Sequence, residues 1–202
     1  GEIMLRLKTP EYLRIVQADG FEASYGGAES NVAVSLAAFG DEAAFVTKLP
    51  ENPVGEAALN ELRRYGVDTS LVLKGGPRLG IYYFEKGTNI RPTNVVYDRA
   101  GSSISVADSS EFDWEKLLSG IGIFYFSGVT PAISDSIAKA VEEALIYCHA
   151  HHIQVVCDLN YRSKMWSCEK AQSVMKKLMR YVDLCIANDE DFESTLGIHA
   201  YD

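Results

Sequence analysis

From Ile121 onward the sequence alternates short apolar runs with longer amphipathic ones, and this rhythm constrains the fold more than any other feature. Ile121–Phe126 (IGIFYF), Gln154–Cys157 (QVVC) and Leu184–Ala187 (LCIA) read as strands. The first is continuously apolar, as a strand buried on both faces would be. Between the strands lie helices. Ser134 is a good N-cap for one whose inward stripe is Ile137, Val141, Ala144, Leu145 and Cys148. A second helix carries Ala171, Val174 and Leu178. Successive strands joined by helices predict a parallel sheet with right-handed crossovers. In such sheets a ligand sits beyond the carboxyl ends of the strands. The polar residues Ser127, Thr130, Asp158, Asn160, Arg162, Asn188 and Asp191 all fall at those ends.

The first half is less regular. Residues 1–25 alternate weakly, through Met4, Leu5 and Leu7 and then Tyr12, Leu13, Ile15 and Val16, and read as short strands. Turns are expected at Thr9-Pro10 and Asp19-Gly20. Ser24-Tyr25-Gly26-Gly27-Ala28-Glu29-Ser30-Asn31 then opens a helix that ends at Gly40. Gly26 and Gly27 can take positive φ and carry no Cβ, so the loop can deliver backbone N–H groups to a ligand. Asn31 falls in the first helical turn, and Val32, Ala33, Leu36, Ala37 and Phe39 give an apolar face. The loop is neither G-x-G-x-x-G nor a phosphate-binding G-x-x-x-x-G-K, so it supports no dinucleotide fingerprint. Ala43–Leu49 reads as a buried strand. Pro53 suits the first position of a helix over Val54–Tyr65, closed by Gly66. Leu71–Lys74 is a short strand. Arg78–Glu85 and Asn94–Arg99 are two more with no helix between them, which predicts a small sheet standing off as a lid.

With 202 residues the chain is long enough for one α/β domain, with or without a small appendage. A net charge of −9 excludes a nucleic-acid binder, which needs a basic face. It leaves an anionic ligand open, since a few arginines in a cleft reverse the local field. Cys148, Cys157, Cys168 and Cys185 form no C-x-x-C pair and read as reduced thiols, implying a cytoplasmic location. His149, His151 and His152 read as helix-end residues. No signal peptide or membrane-spanning run is visible, so no membrane partner is expected. The chain opens at Gly1 and stops just after a helix stop at Gly197, and both ends look cut.

Arg162 and Arg99 are candidate anion clamps, because a guanidinium fits a carboxylate or phosphate bidentately. With the hydroxyls of Tyr82 and Tyr97 they suit a small hydroxylated acid. Equally, each arginine could be a surface ion-pair partner. Asn188 and Asp191 could support Mg²⁺ beside phosphates, or simply cap a helix. Asp158 is open in the same way. No G-x-S-x-G elbow supports a hydrolase.

Taken together these segments resemble the ribokinase-like (PfkB-type) carbohydrate kinases, and among them the 2-keto-3-deoxygluconate kinases. The resemblance rests on Gly26-Gly27-Ala28-Glu29-Ser30-Asn31 with Ala33 and Gly40, on Gly1-Glu2-Ile3-Met4-Leu5-Arg6-Leu7, on Tyr97-Asp98-Arg99, and on Ser127-Gly128-Val129-Thr130-Pro131. Asp158-Leu159-Asn160-Tyr161-Arg162 with Met165-Trp166, and Asn188 to Asp191, extend it across the chain. It implies a Rossmann-type, mainly parallel sheet flanked by helices, forming over residues 1–202 the N-terminal part of one domain. Lid strands would lie within about 4–25 and 78–99. It implies Gly26, Gly27, Asn31, Tyr82, Tyr97, Arg99, Asp158, Asn160 and Arg162 as substrate residues. Asn188 and Asp191 would support ATP, and Asp191 would also support Mg²⁺. The activity implied is ATP-dependent phosphorylation of 2-keto-3-deoxygluconate to its 6-phosphate, in a homodimer joined through the lid. A fructokinase of the same family, or a sugar-acid-binding fragment without chemistry, stand as alternatives. Three features depart from the pattern. Leu49-Pro50-Glu51-Asn52-Pro53-Val54-Gly55 stands where many relatives have V-G-x-D-x-x-G. Asp191 replaces the usual Glu. The general-base aspartate and nucleotide pocket would lie beyond residue 202.

Overall fold

In Met4–Lys8 the apolar Leu5 and Leu7 alternate with Arg6 and Lys8, the period of a strand with one apolar and one polar face. The computed structural model describes residues 1–199, and this segment is its first strand, β1. Glu22–Gly26 forms β2, and helix α1 runs Ala28–Phe39. Strand β3 is Lys48–Leu49, helix α2 Pro53–Arg64, and β4 Leu73–Lys74. Ile81–Glu85 and Asn94–Asp98 are β5 and β6. The chain divides into two units, Glu2–Ser105 and the residues from Val106 on with Gly1.

The N-terminal unit holds a four-stranded sheet in the order β2-β1-β5-β6 and a two-stranded sheet β3-β4. β1 runs antiparallel to β2 and parallel to β5, and β5 antiparallel to β6. Its core is Ile3, Phe45, Leu49, Leu59, Leu62 and neighbours, against which Leu5 and Tyr25 pack from the sheet. Burial of side chains such as Leu59 and Leu62 stabilises the unit by about 1.5–3 kcal/mol each. Helix α2 starts where Asn52 Oδ1 accepts from the N–H groups of Val54 and Gly55, both at 3.0 Å, with Pro53 at the first position. Asn52→Ala leaves these donors without their cap. It is expected to cost about 1 kcal/mol, read as a lowered midpoint in thermal unfolding.

The second unit contains helix α3 (Trp114–Leu117), β7 (Ile123–Ser127), α4 (Asp135–Ala150), β8 (Gln154–Asp158), α5 (Cys168–Leu178), β9 (Leu184–Ile186) and α6 (Asp189–Leu196). Its three strands are parallel in the order β7-β8-β9, each joined to the next through a helix, as the alternation requires. Ser134 Oγ accepts from Ile137 N and caps α4. The stripe Ile137, Val141, Ala144, Leu145 and Cys148 is buried throughout. Ala171, Met175 and Leu178 do the same for α5. Among the described residues no helix is long and apolar enough to cross a membrane.

Several expectations need correction. Tyr12 to Val16 form no strand. Thr9 Oγ1 donates to Leu13 O, Ile15 N donates to Glu85 Oε1, and a single 3-10 turn covers Ile15–Gln17. Of the strand expected over residues 43–49 only Lys48–Leu49 survives, with an isolated bridge from Ala44 to Asp68. The partner segment turns at Asp68, whose carboxylate accepts from Ser70 N, and the ladder is interrupted there. β7 is not buried throughout: Ile123 is 59% exposed while Phe126 is buried. The expected apolar face of α1 is covered at Ala33 but not at Phe39, which is 83% exposed.

Candidate functional site

In the four-stranded sheet, register pairs place residues on a common face across strands. Arg6 of β1 stands opposite Ser24 of β2 and Tyr82 of β5, and Tyr82 opposite Tyr97 of β6. Ser24, Arg6, Tyr82 and Tyr97 therefore form one row. The rings of Tyr82 and Tyr97 lie 5.9 Å apart. Two residues on, Phe84 faces the same way, and the Arg6 guanidinium carbon lies 4.1 Å from its ring centre. Burial pushes the Tyr82 phenol above its ordinary range, with the Arg6 charge pulling the other way.

Gly26 ends β2 beside this row. A Cβ there would lie 3.3 Å from Asn31 Oδ1 and 3.9 Å from the Tyr82 hydroxyl. Its bareness lets the Asn31 amide and the Tyr82 hydroxyl converge on one spot. Neither Gly26 nor Gly27 takes positive φ. Gly27 is the extended N-cap of α1, and a Cβ on it would stand 1.9 Å from Glu2 O. Packing against the Glu2 main chain, rather than a turn conformation, is what demands glycine there.

Arg99, just past β6, is ion-paired with Glu2 through Nη2. The Glu2 side chain is 3% exposed and that of Arg99 17%, and Ser102 Oγ donates to Glu2 Oε1 at 2.8 Å. Arg99 also lies 5.9 Å from the ring centre of Tyr97. Its charge is thus countered within the protein. Sequence reasoning gave Glu2 and Arg6 no role. The available signal was their place in an alternation, broken only by the apolar Met4, of Glu2, Arg6 and Lys8 against Ile3, Leu5 and Leu7.

In the second unit the parallel register aligns Ser127, Asp158 and Ile186 at the carboxyl ends of the strands. Gly128 follows Ser127, and a Cβ on it would lie 2.1 Å from Leu159 O, so this turn and the loop after β8 are backbone to backbone. Asn160 takes φ of 37°, a left-handed conformation that asparagine tolerates better than most residues. Arg162 is exposed, with a 3.4 Å contact from Nη1 to Tyr161 O. Its loop is braced by Tyr161, whose hydroxyl donates to Trp166 O at 3.0 Å. The hydrogen bond from Cys168, and then burial, push that phenol up to about 12.

Asn188 Oδ1 accepts from Asp191 N at 2.8 Å and caps α6, while Asp191 Oδ1 accepts from Tyr161 N at 3.0 Å. Both side chains are thereby committed to shaping the strand ends. Among the described residues no three His, Cys, Asp or Glu gather as a metal site. Asp191 alone makes no cage, so these residues fit Mg²⁺ only through water and phosphate oxygens.

The N-terminal unit thus presents a polar, aromatic-walled sheet face beside a glycine-opened helix, and the second unit carries its polar residues at the carboxyl ends of parallel strands. The chain belongs to the pfkB family of carbohydrate kinases, whose profile matches residues 1–200. A solved 2-dehydro-3-deoxygluconokinase of Thermotoga maritima is 51% identical, with a TM-score of 0.97 over 100% of this chain and 62% of that one. A 2-dehydro-3-deoxygalactonokinase of Haloferax volcanii is 38% identical over 98% of this chain and 62% of its own length. A 2-dehydro-3-deoxygluconokinase of Thermoproteus tenax is 26% identical over 98% of this chain and 61% of its own. The chain thus spans about three fifths of these relatives. The expected ribokinase-like α/β fold holds.

Proposed function

We propose that the protein is a sugar-acid kinase that transfers the γ-phosphoryl group of ATP to the terminal hydroxyl of 2-keto-3-deoxygluconate, giving the 6-phosphate and ADP. The observation that carries this is the convergence of Gly26, Asn31 and Tyr82 on one spot of a sheet face walled by Tyr97. Two of these residues, Gly26 and Asn31, belong to the loop on which the family resemblance rests. Gly26 and Asn31 would orient sugar hydroxyls, and Tyr82 and Tyr97 would wall the sugar. Arg162 would take the carboxylate, with Asp158 and Asn160 shaping its loop. Arg99, countered by Glu2, would orient the acid more than attract it. Phosphoryl transfer of this kind is catalysed mainly by positioning and charge stabilisation. The hydroxyl proton would pass to a general base, the aspartate that the family resemblance puts after residue 202. Asn188 and Asp191 would support the nucleotide and Mg²⁺ through water. A cytoplasmic homodimer joined through the four-stranded sheet accompanies this reading.

The galactonate epimer is a second acceptor, favoured by the 38% identity to a 2-dehydro-3-deoxygalactonokinase. ADP release with both acids and with fructose separates these readings, and phosphorus NMR of the product fixes the position. Turnover of fructose as fast as of either acid would make the protein a fructokinase instead. Arg162→Ala is expected to weaken the acid by about 1.5–3 kcal/mol, one charge-assisted contact, and to leave fructose unchanged. Equal losses for both sugars would remove Arg162 from the carboxylate.

A further inference from the structure

On the polar face of the four-stranded sheet, two cations have their charge met. Lys8 Nζ lies 2.7 Å from Glu22 Oε2, and Arg99 is paired with Glu2. Arg6 is different. Its guanidinium carbon lies 4.1 Å from the Phe84 ring centre, and its charge acts on the Tyr82 phenol. Its Nε is buried with no hydrogen-bond partner. A buried donor left unsatisfied costs free energy, and the rest of the half-buried fork keeps donors for a ligand. Stacking on Phe84 offsets part of this and fixes the plane of the fork. It cannot satisfy donors that lie in that plane. Arg6 is also next to Tyr82 in the row, and the Tyr82 hydroxyl faces the spot left open by Gly26.

We infer that Arg6 is a specificity-determining residue of the substrate site, a guanidinium held on the sheet by Phe84 to receive the carboxylate of an acidic sugar. The assignment rests on the sugar-acid reading of this face. It makes the preference for an acid a property of the sheet itself. A neutral ketose offers Arg6 no charge to meet, so the residue separates acids from neutral sugars rather than sugars from non-sugars.

The test is titration calorimetry of the protein with 2-keto-3-deoxygluconate and, separately, with fructose, for wild type, Arg6→Met and Arg6→Lys. Methionine keeps an unbranched apolar stem against Phe84 and removes the charge. Lysine keeps the charge without the fork. Arg6→Met is expected to weaken the acid about 10- to 100-fold while fructose stays within about twofold. Arg6→Lys should recover part of the loss. The acid's affinity should fall with added salt in wild type and fall less in Arg6→Met. An unchanged acid affinity in Arg6→Met, with wild type still preferring the acid, overturns the role of Arg6 and leaves the proposed function standing. Equal losses for both sugars also overturn it, because Arg6 would then act through packing. A wild type that binds neither sugar, or prefers fructose, overturns the sugar-acid reading and this inference with it.

Discussion

Gly27→Ala is expected to destabilise the N-terminal unit by about 3 kcal/mol and to abolish sugar binding. The backbone at Gly27 is extended, with φ of −175°, which alanine adopts without strain. The cost is steric. The new methyl would lie 1.9 Å from Glu2 O and 3.1 Å from Ser30 Oγ. Glu2 cannot simply move, because its side chain is buried between Arg99 and Ser102. Either β1 shifts or α1 does, and α1 carries Asn31. Gly26→Ala is the informative contrast. Its methyl would press on Asn31 Oδ1 at 3.3 Å and approach the Tyr82 hydroxyl. That fills the place proposed for the sugar without forcing a main-chain clash, so binding should fall while unfolding stays nearly normal. Urea denaturation and calorimetry on both variants check this. A Gly27→Ala protein as stable as wild type would show that the Glu2 main chain yields.

Glu2→Ala should be comparably damaging, at about 3–5 kcal/mol, because removing one partner of a buried pair leaves the other charge uncompensated. The lower end applies, since the Arg99 side chain keeps 17% exposure and some access to water. Glu2→Gln retains an acceptor for Ser102 and fills the same volume, so it should lose less. Equal stability of Glu2→Ala and wild type in urea would mean that solvent already screens Arg99. The two glutamate variants also bear on the proposed acid site. Freeing Arg99 from its counter-charge should raise affinity for an anionic sugar even as the fold weakens, an outcome visible in the Glu2→Gln protein.

Legibility in the sequence followed the range of the interactions. Helix α4 was readable because Ser134 and the stripe from Ile137 to Cys148 lie within one continuous segment. The alignment of Ser127 with Asp158 was readable because parallel strands joined by helices put their carboxyl ends together. The segment at 43–49 was read too long because its pairing depends on where another segment turns, at Asp68. The row Arg6–Tyr82–Tyr97 was unreadable for the same reason in stronger form. Nothing local says that β1 lies beside β5, or in which register. Arg99 shows the limit most plainly. Its residue type announced an anion site, but its partner, Glu2, is 97 positions away, and only the folded sheet shows that the charge is already met.

The pairing of β1 with β5 also bears on how the protein is made. Strand β1 forms a hairpin-like pair with β2 as the two leave the ribosome, but its other edge lacks β5 until Ile81–Glu85 emerges. Until then the nascent chain holds an open strand edge, with Arg6 lacking Tyr82 and Phe84 beside it. Long-range parallel pairing of this kind is slow to form and exposed to misassociation meanwhile. The stretch from β2 to β5 is therefore a waiting period in synthesis. Slowing translation within it should hurt yield more than slowing it after the sheet has closed.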